Sequence, residues 1–129
     1  MSRNACITNS NSESVILKIF YNKNSKEIEE YVNHHKGFKN FTKYILKYKN
    51  PDFKSRTVKF DSIKYSVSLN LIKNDTLRIW GGMHQSNQFG EIQKIHIITK
   101  TRDTTEIFGN KFREVFDEKL NGYYLYTVN

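Results

Sequence analysis

Residues 63–80, IKYSVSLNLIKNDTLRIW, set the character of this chain. Ile63, Tyr65, Val67, Leu69 and Leu71 alternate with Lys64, Ser66, Ser68 and Asn70. A period of two predicts a strand with one buried and one wet face. Lys73-Asn74-Asp75-Thr76 predicts a tight hairpin turn, because Asn and Asp tolerate positive φ. Residues 76–80 would then be the return strand, with Arg78 across the hairpin from the polar face. The centre of the chain is therefore read as antiparallel sheet.

Working outward, Gly81-Gly82 and the polar loop MHQSNQFG (83–90) lead to EIQKIHIITK (91–100), a third strand carrying Lys94 and His96. Phe108, Phe112, Val115, Phe116 and Leu120 predict a helix in the last third, stopped by Asn121-Gly122. YYLYTV (123–128) predicts a final strand. Toward the N-terminus, VILKIFY (15–21) reads as a mostly buried strand. Asn24 is placed to cap a helix over about 25–35, with Glu27 three residues on. Gly37 breaks it, and a second helix follows over about 39–49, with Phe41, Tyr44, Ile45 and Tyr48 on one face. Arg56–Phe60 reads as a short extra strand. Residues 1–13 read as a polar tail with no apolar core of a secretory signal. Residues 14–129 read as a single α+β domain: a mainly antiparallel sheet with two N-terminal helices and one C-terminal helix.

Composition narrows the classes of function. Nine Phe, eight Tyr and one Trp in 129 residues are enough for a real core. Cys6 is the only cysteine, so neither an intramolecular disulfide nor a Cys-based zinc site is expected. A reducing, cytoplasmic setting follows as an expectation. No apolar run is long enough to span a bilayer, so no membrane partner is expected. The net charge is +8, and residues 36–64 hold +7 of it, with nine basic and two acidic side chains. A concentrated positive field points to an anionic partner. Lys36, Lys39, Lys43 and Lys47 fall three or four apart on the second helix, and Lys54 and Arg56 continue the run. Cations at that spacing suit a phosphate backbone, DNA or RNA, or another polyanion.

Motifs for cofactor chemistry are missing. The histidines are His34, His35, His84 and His96, with no HExxH spacing, and no metal or cofactor is expected. Glu91-Ile92-Gln93-Lys94 departs from the E-x-K of metal-dependent nuclease strands. Gly81-Gly82 alone makes no phosphate cradle. His84, in a loop, and His96, beside Lys94 on a strand, are the candidates for a general base.

Residues 15–49, VILKIFYNKNSKEIEEYVNHHKGFKNFTKYILKYK, resemble a ribbon-helix-helix unit, which implies a dimer that reads DNA with its strand. The element order, two helices before an antiparallel sheet with YSVSLNLIKNDTLRIWGGMHQ (65–85) as central hairpin, resembles the RelE-type ribonuclease toxins. That resemblance implies Arg78, His84, Lys94 and His96 as acid, base and phosphate stabiliser of a metal-independent cleavage. Three expectations result. The first is a small nucleic-acid-binding protein acting through Lys36, Lys39, Lys43, Lys47, Lys54 and Arg56. The second is a RelE-like ribonuclease. The third is an inhibitor or immunity-type protein whose basic face docks an acidic protein. A homodimer paired edge to edge through residues 15–21 or 123–128 is one assembly the pattern allows.

Overall fold

The computed structural model describes residues 4–9, 11–50, 57–80, 91–111, 118–120 and 123–128. Two antiparallel sheets are built around one long pair of chain segments that crosses from one sheet to the other. The first segment supplies β1 (Asn4–Asn9) and β2 (Val15–Tyr21); the second supplies β4 (Ser66–Leu71) and β5 (Thr76–Trp80). β2 pairs with β4 in a five-stranded sheet, and β1 pairs with β5 in a four-stranded one. With β3 (Lys59–Asp61), β6 (Ile92–Ile98) and β7 (Thr104–Phe108), the larger sheet runs β3-β4-β2-β6-β7. With β8 (Glu118–Leu120) and β9 (Tyr123–Val128), the smaller runs β5-β1-β9-β8.

The expected hairpin at 63–80 is thus corrected. The turn forms as its residues predict: Asn74 takes φ 64°, and Asp75 N–H donates to Ile72 O at 3.0 Å. The strands on either side then part into different sheets. The cause is Asn9, fully buried at the corner. Its N–H donates to Asp75 O (3.0 Å) and its C=O accepts from Asn74 N–H (2.7 Å). Its Nδ2 donates to Leu71 O and Glu13 O, both at 2.9 Å, and Oδ1 accepts from Asn11 N–H at 2.9 Å. The ladder cannot continue around a corner, and one side-chain amide supplies the partners it loses. Residues 4–9, expected within a polar tail, therefore form a strand paired on both sides.

Between β2 and β3 lie α1 (Lys26–His34) and α2 (Phe38–Lys49). Ser25, one residue beyond the expected Asn24, caps α1, accepting from Ile28 N–H at 3.4 Å. Glu27 and Glu29 in the first turn complement the helix dipole. The link to α2 turns on Lys36 at φ 58° and Gly37 at φ 116°, a backbone that L side chains rarely adopt. Leu17, Ile19, Tyr21, Val67, Leu69, Ile95, Ile97 and Ile107 bury the inner face of the larger sheet. Ile28 of α1 and Phe38, Phe41, Ile45 and Leu46 of α2 join this core, as do Ile7 and Leu77 of the smaller sheet. Tyr21 meets Phe38 and Phe41 edge-on at 5.7 and 5.6 Å.

The C-terminal helix is a second correction. Thr104–Phe108 is β7, paired with β6; Gly109–Lys111 is a short 3-10 turn; Leu120, expected on the helical stripe, lies in β8. Phe112, Val115 and Phe116 fall outside the described residues. Thr104, Thr105, Ile107 and Phe108, β-branched or aromatic, suit a strand pairing with Ile95 and Ile97, and that pairing overrides the 3.6-residue spacing. Ile63, expected inside, is 80% exposed because residues 62–65 form a turn. The edge-to-edge dimer through 15–21 or 123–128 does not fit either: β2 lies between β4 and β6, and β9 between β1 and β8. Among the described residues no helix is long and apolar enough to cross a membrane.

Candidate functional site

Two basic surfaces lie on opposite sides of the five-stranded sheet. On the helical side, α2 buries Phe38, Phe41, Thr42, Ile45 and Leu46 and turns Lys39, Lys43 and Lys47 to solvent. Four residues separate successive lysines, a rise of about 6 Å along the axis. Lys36, also exposed, stands in the turn before the helix, where its C=O accepts from Asn40 Nδ2 at 3.2 Å. Tyr44, expected in the core, is 45% exposed, and its ring lies 4.3 Å from that of His35. Lys54 and Arg56 lie outside the described residues.

The other surface is the outer face of the sheet. Strand register places Lys59, Ser68, Lys18, His96 and Glu106 in one row across β3, β4, β2, β6 and β7. The next row holds Asp61, Ser66, Phe20, Lys94 and Phe108. Phe20 is the hub: Lys18 Nζ and Lys94 Nζ stand 5.2 and 4.9 Å from its centroid, and the His96 ring packs against it edge-on at 4.9 Å. Both contacts lie within cation–π range. His96 Nε2 donates to Glu106 Oε2 at 2.6 Å, and Lys94 Nζ lies 3.5 Å from the same oxygen. The hydrogen bond from His96, with the charges of Lys94 and His96, holds the Glu106 carboxyl below the usual glutamate range. Asp61 is lowered as well, first by Lys64 N–H, then by Ile63 N–H and the charges of Lys64 and Lys18. Its Oδ1 accepts from those amides at 2.9 and 3.1 Å.

The residues expected to act together as a ribonuclease site are divided by this fold. Lys94 and His96 share the outer face. Arg78 lies in the smaller sheet, opposite Cys6 of β1, with its backbone held by Asn50 at the end of α2. It does not share a face with Lys64 or Ser66, because β4 and β5 are not partners. His84 lies outside the described residues. The ribbon-helix-helix likeness also lacks its reading strand, since β2 is a central strand. Among the described residues no three His, Cys, Asp or Glu side chains gather to hold a metal.

Lys18, Phe20, Lys59, Glu106 and Phe108 had not been expected in a site. In VILKIFY both alternating phases are mostly apolar, so the pattern alone does not tell inner from outer face. Phe108 reads as the first residue of a core-facing helical stripe, with Glu106 just before it. The one available signal was the Lys18–Phe20 spacing, which puts a cation and a ring on one side of any strand.

No protein-family model, curated protein or solved structure matches this chain.

Proposed function

We propose that the protein binds nucleic acid as a polyanion, with Lys36, Lys39, Lys43 and Lys47 contacting the phosphate backbone and Lys54 and Arg56 extending the contact. One observation carries this reading: three lysines one helical turn apart stand exposed on a helix whose other side is locked into the core. Anchoring matters, because an ordered row of cations loses less entropy on binding than cations on a loose segment. The test is binding of labelled RNA and duplex DNA across a salt series. Log affinity should fall linearly with log salt, and Lys43→Glu with Lys47→Glu should abolish duplex binding. Duplex binding untouched by that double reversal ends the proposal.

A ribonuclease reading is favoured by one separate observation, the His96–Glu106 pair beside Lys94. A histidine oriented by a carboxylate next to an ammonium has the parts of a general base with a phosphate stabiliser. Incubation of labelled RNA in EDTA decides it: cleavage lost in His96→Ala supports it, and no cleavage by the wild type removes it.

A further inference from the structure

We infer that the outer face of the five-stranded sheet is a second binding surface, separate from α2, and that its ligand is single-stranded nucleic acid stacked on Phe20 and Phe108 with Lys18, Lys59 and Lys94 on its phosphates. The inference rests on the nucleic-acid reading for the class of ligand, and on different residues for the surface.

Charge comes first. Both carboxylates in the two rows are engaged within the chain: Asp61 by the amides of Ile63 and Lys64, Glu106 by His96 and Lys94. Lys59 and Lys18 form no salt bridge among the described residues, so the face presents positive charge despite its acids. Apolar character comes second. Phe108 is 49% exposed on the edge strand, two strands from Phe20, so the rings stand about 10 Å apart across the sheet. Rings beside ammonium groups match a strand whose bases stack while its phosphates pair with cations. A duplex hides the flat faces of its bases, and an acidic peptide offers none, so the ring-and-cation pattern selects unpaired nucleotides.

The third observation is a cleft at the β3 end of the same face. It measures about 310 Å³ and is walled by Ile16, Thr57, Lys59, Ser68, Leu69 and Asn70. An apolar wall, two hydroxyls, an amide and an ammonium suit one nucleoside, with the base against Ile16 and the phosphate toward Lys59. Beneath the face, beside Phe20, the buried Ser66 hydroxyl has no hydrogen-bond partner among the described residues.

The experiment is fluorescence anisotropy with a labelled oligo-uridine and a labelled duplex of equal length, at fixed low salt. The proteins are the wild type, Phe108→Ala, Lys59→Glu and the Lys43→Glu/Lys47→Glu pair. Phe108 and Lys59 are exposed, and circular dichroism verifies that the variants fold. Phe108→Ala should weaken oligo-uridine binding by about tenfold, the order of one lost stacking contact, Lys59→Glu should weaken it by at least as much through a lost phosphate contact, and both should leave duplex binding unchanged. Oligo-uridine affinity equal to wild type in both variants overturns the inference. So does a wild type that binds poly-glutamate with the same dependence on Phe108. Duplex binding untouched by the Lys43/Lys47 reversal overturns the α2 proposal alone, while a wild type that binds neither oligonucleotide overturns both.

Discussion

The side chain of Asn50 makes a two-point hydrogen bond with the backbone of Arg78: Arg78 N–H donates to Asn50 Oδ1 at 2.8 Å, and Asn50 Nδ2 donates to Arg78 O at 3.1 Å. β5 is an edge of the smaller sheet, and Asn50 occupies the place a further strand would take. The same Nδ2 donates to Leu46 O at 2.9 Å, so one residue closes α2 and protects the strand beside it.

Asn50→Ala should therefore lower stability by about 1–2 kcal/mol, the net value of hydrogen bonds that are partly solvated. Asn50→Asp should do no better. It keeps the acceptor for Arg78 N–H but loses the donor and sets a negative charge at the helix C-terminus. Urea unfolding checks both: the midpoint should fall with an unchanged m-value. A midpoint equal to wild type for Asn50→Ala would show that the clamp is only geometric.

Asn9→Ala should cost more, on the order of 2–4 kcal/mol, because Asn9 is fully buried and its amide satisfies the Leu71 and Glu13 carbonyls. Thermal unfolding of Asn9→Ala and Asn9→Asp separates the parts. The aspartate keeps the acceptor for Asn11 N–H and loses both donated bonds, so it should be the worse of the two. A loss under about 1 kcal/mol for both would mean that the corner does not depend on this side chain.

These two asparagines mark where sequence reading succeeds and fails. β2, α1, α2, β6 and β9 were legible because each is a contiguous run with its own periodicity and stop signals. The turn at Asn74 was legible for the same reason. The sheet to which β4 and β5 belong was not, because it is decided by Asn9, far earlier in the chain and within an apparently polar tail. The C-terminal stripe was misread because Ile107 pairs with Ile95, a contact no local window contains. The lysines of α2 were legible from helical spacing. The outer sheet face was not, since its rows are assembled from five separate strands.

Tyr21→Phe should leave the protein as stable as before or raise its stability by roughly 1 kcal/mol. The Tyr21 hydroxyl is buried with no hydrogen-bond partner among the described residues, and burial pushes its pKa up. A lone buried hydroxyl carries a desolvation cost with no bond to offset it. The ring contacts with Phe38 and Phe41 survive the change. A destabilisation above about 1 kcal/mol would show that the hydroxyl is bonded in solution.

Acid should weaken the outer face through Glu106. Its pKa is lowered in the folded chain, so the stability it contributes is fully present above the ordinary glutamate value of 4.5 and is lost as the pH falls through the folded value. Asp61 follows the same sign. Unfolding midpoints of wild type and Glu106→Gln, measured from neutral pH into acid, should differ at neutral pH and converge at the acid end. Parallel curves would remove Glu106 from the acid response.

The polyanion reading makes a quantitative claim about salt. For a single strand, log affinity falls with log salt by about 0.7 per phosphate contact, and for a duplex by about 0.9. Lys43→Gln with Lys47→Gln removes two contacts if each lysine meets one phosphate. For the duplex, the ligand left to the α2 lysines, the slope should then flatten by about 1.8. Phe108→Ala should lower single-strand affinity with the slope unchanged, because a stacked ring releases no counterion. Slope and affinity thus separate the two surfaces: a change in affinity without a change in slope for the lysine pair would mean that those side chains shape α2 without touching phosphate.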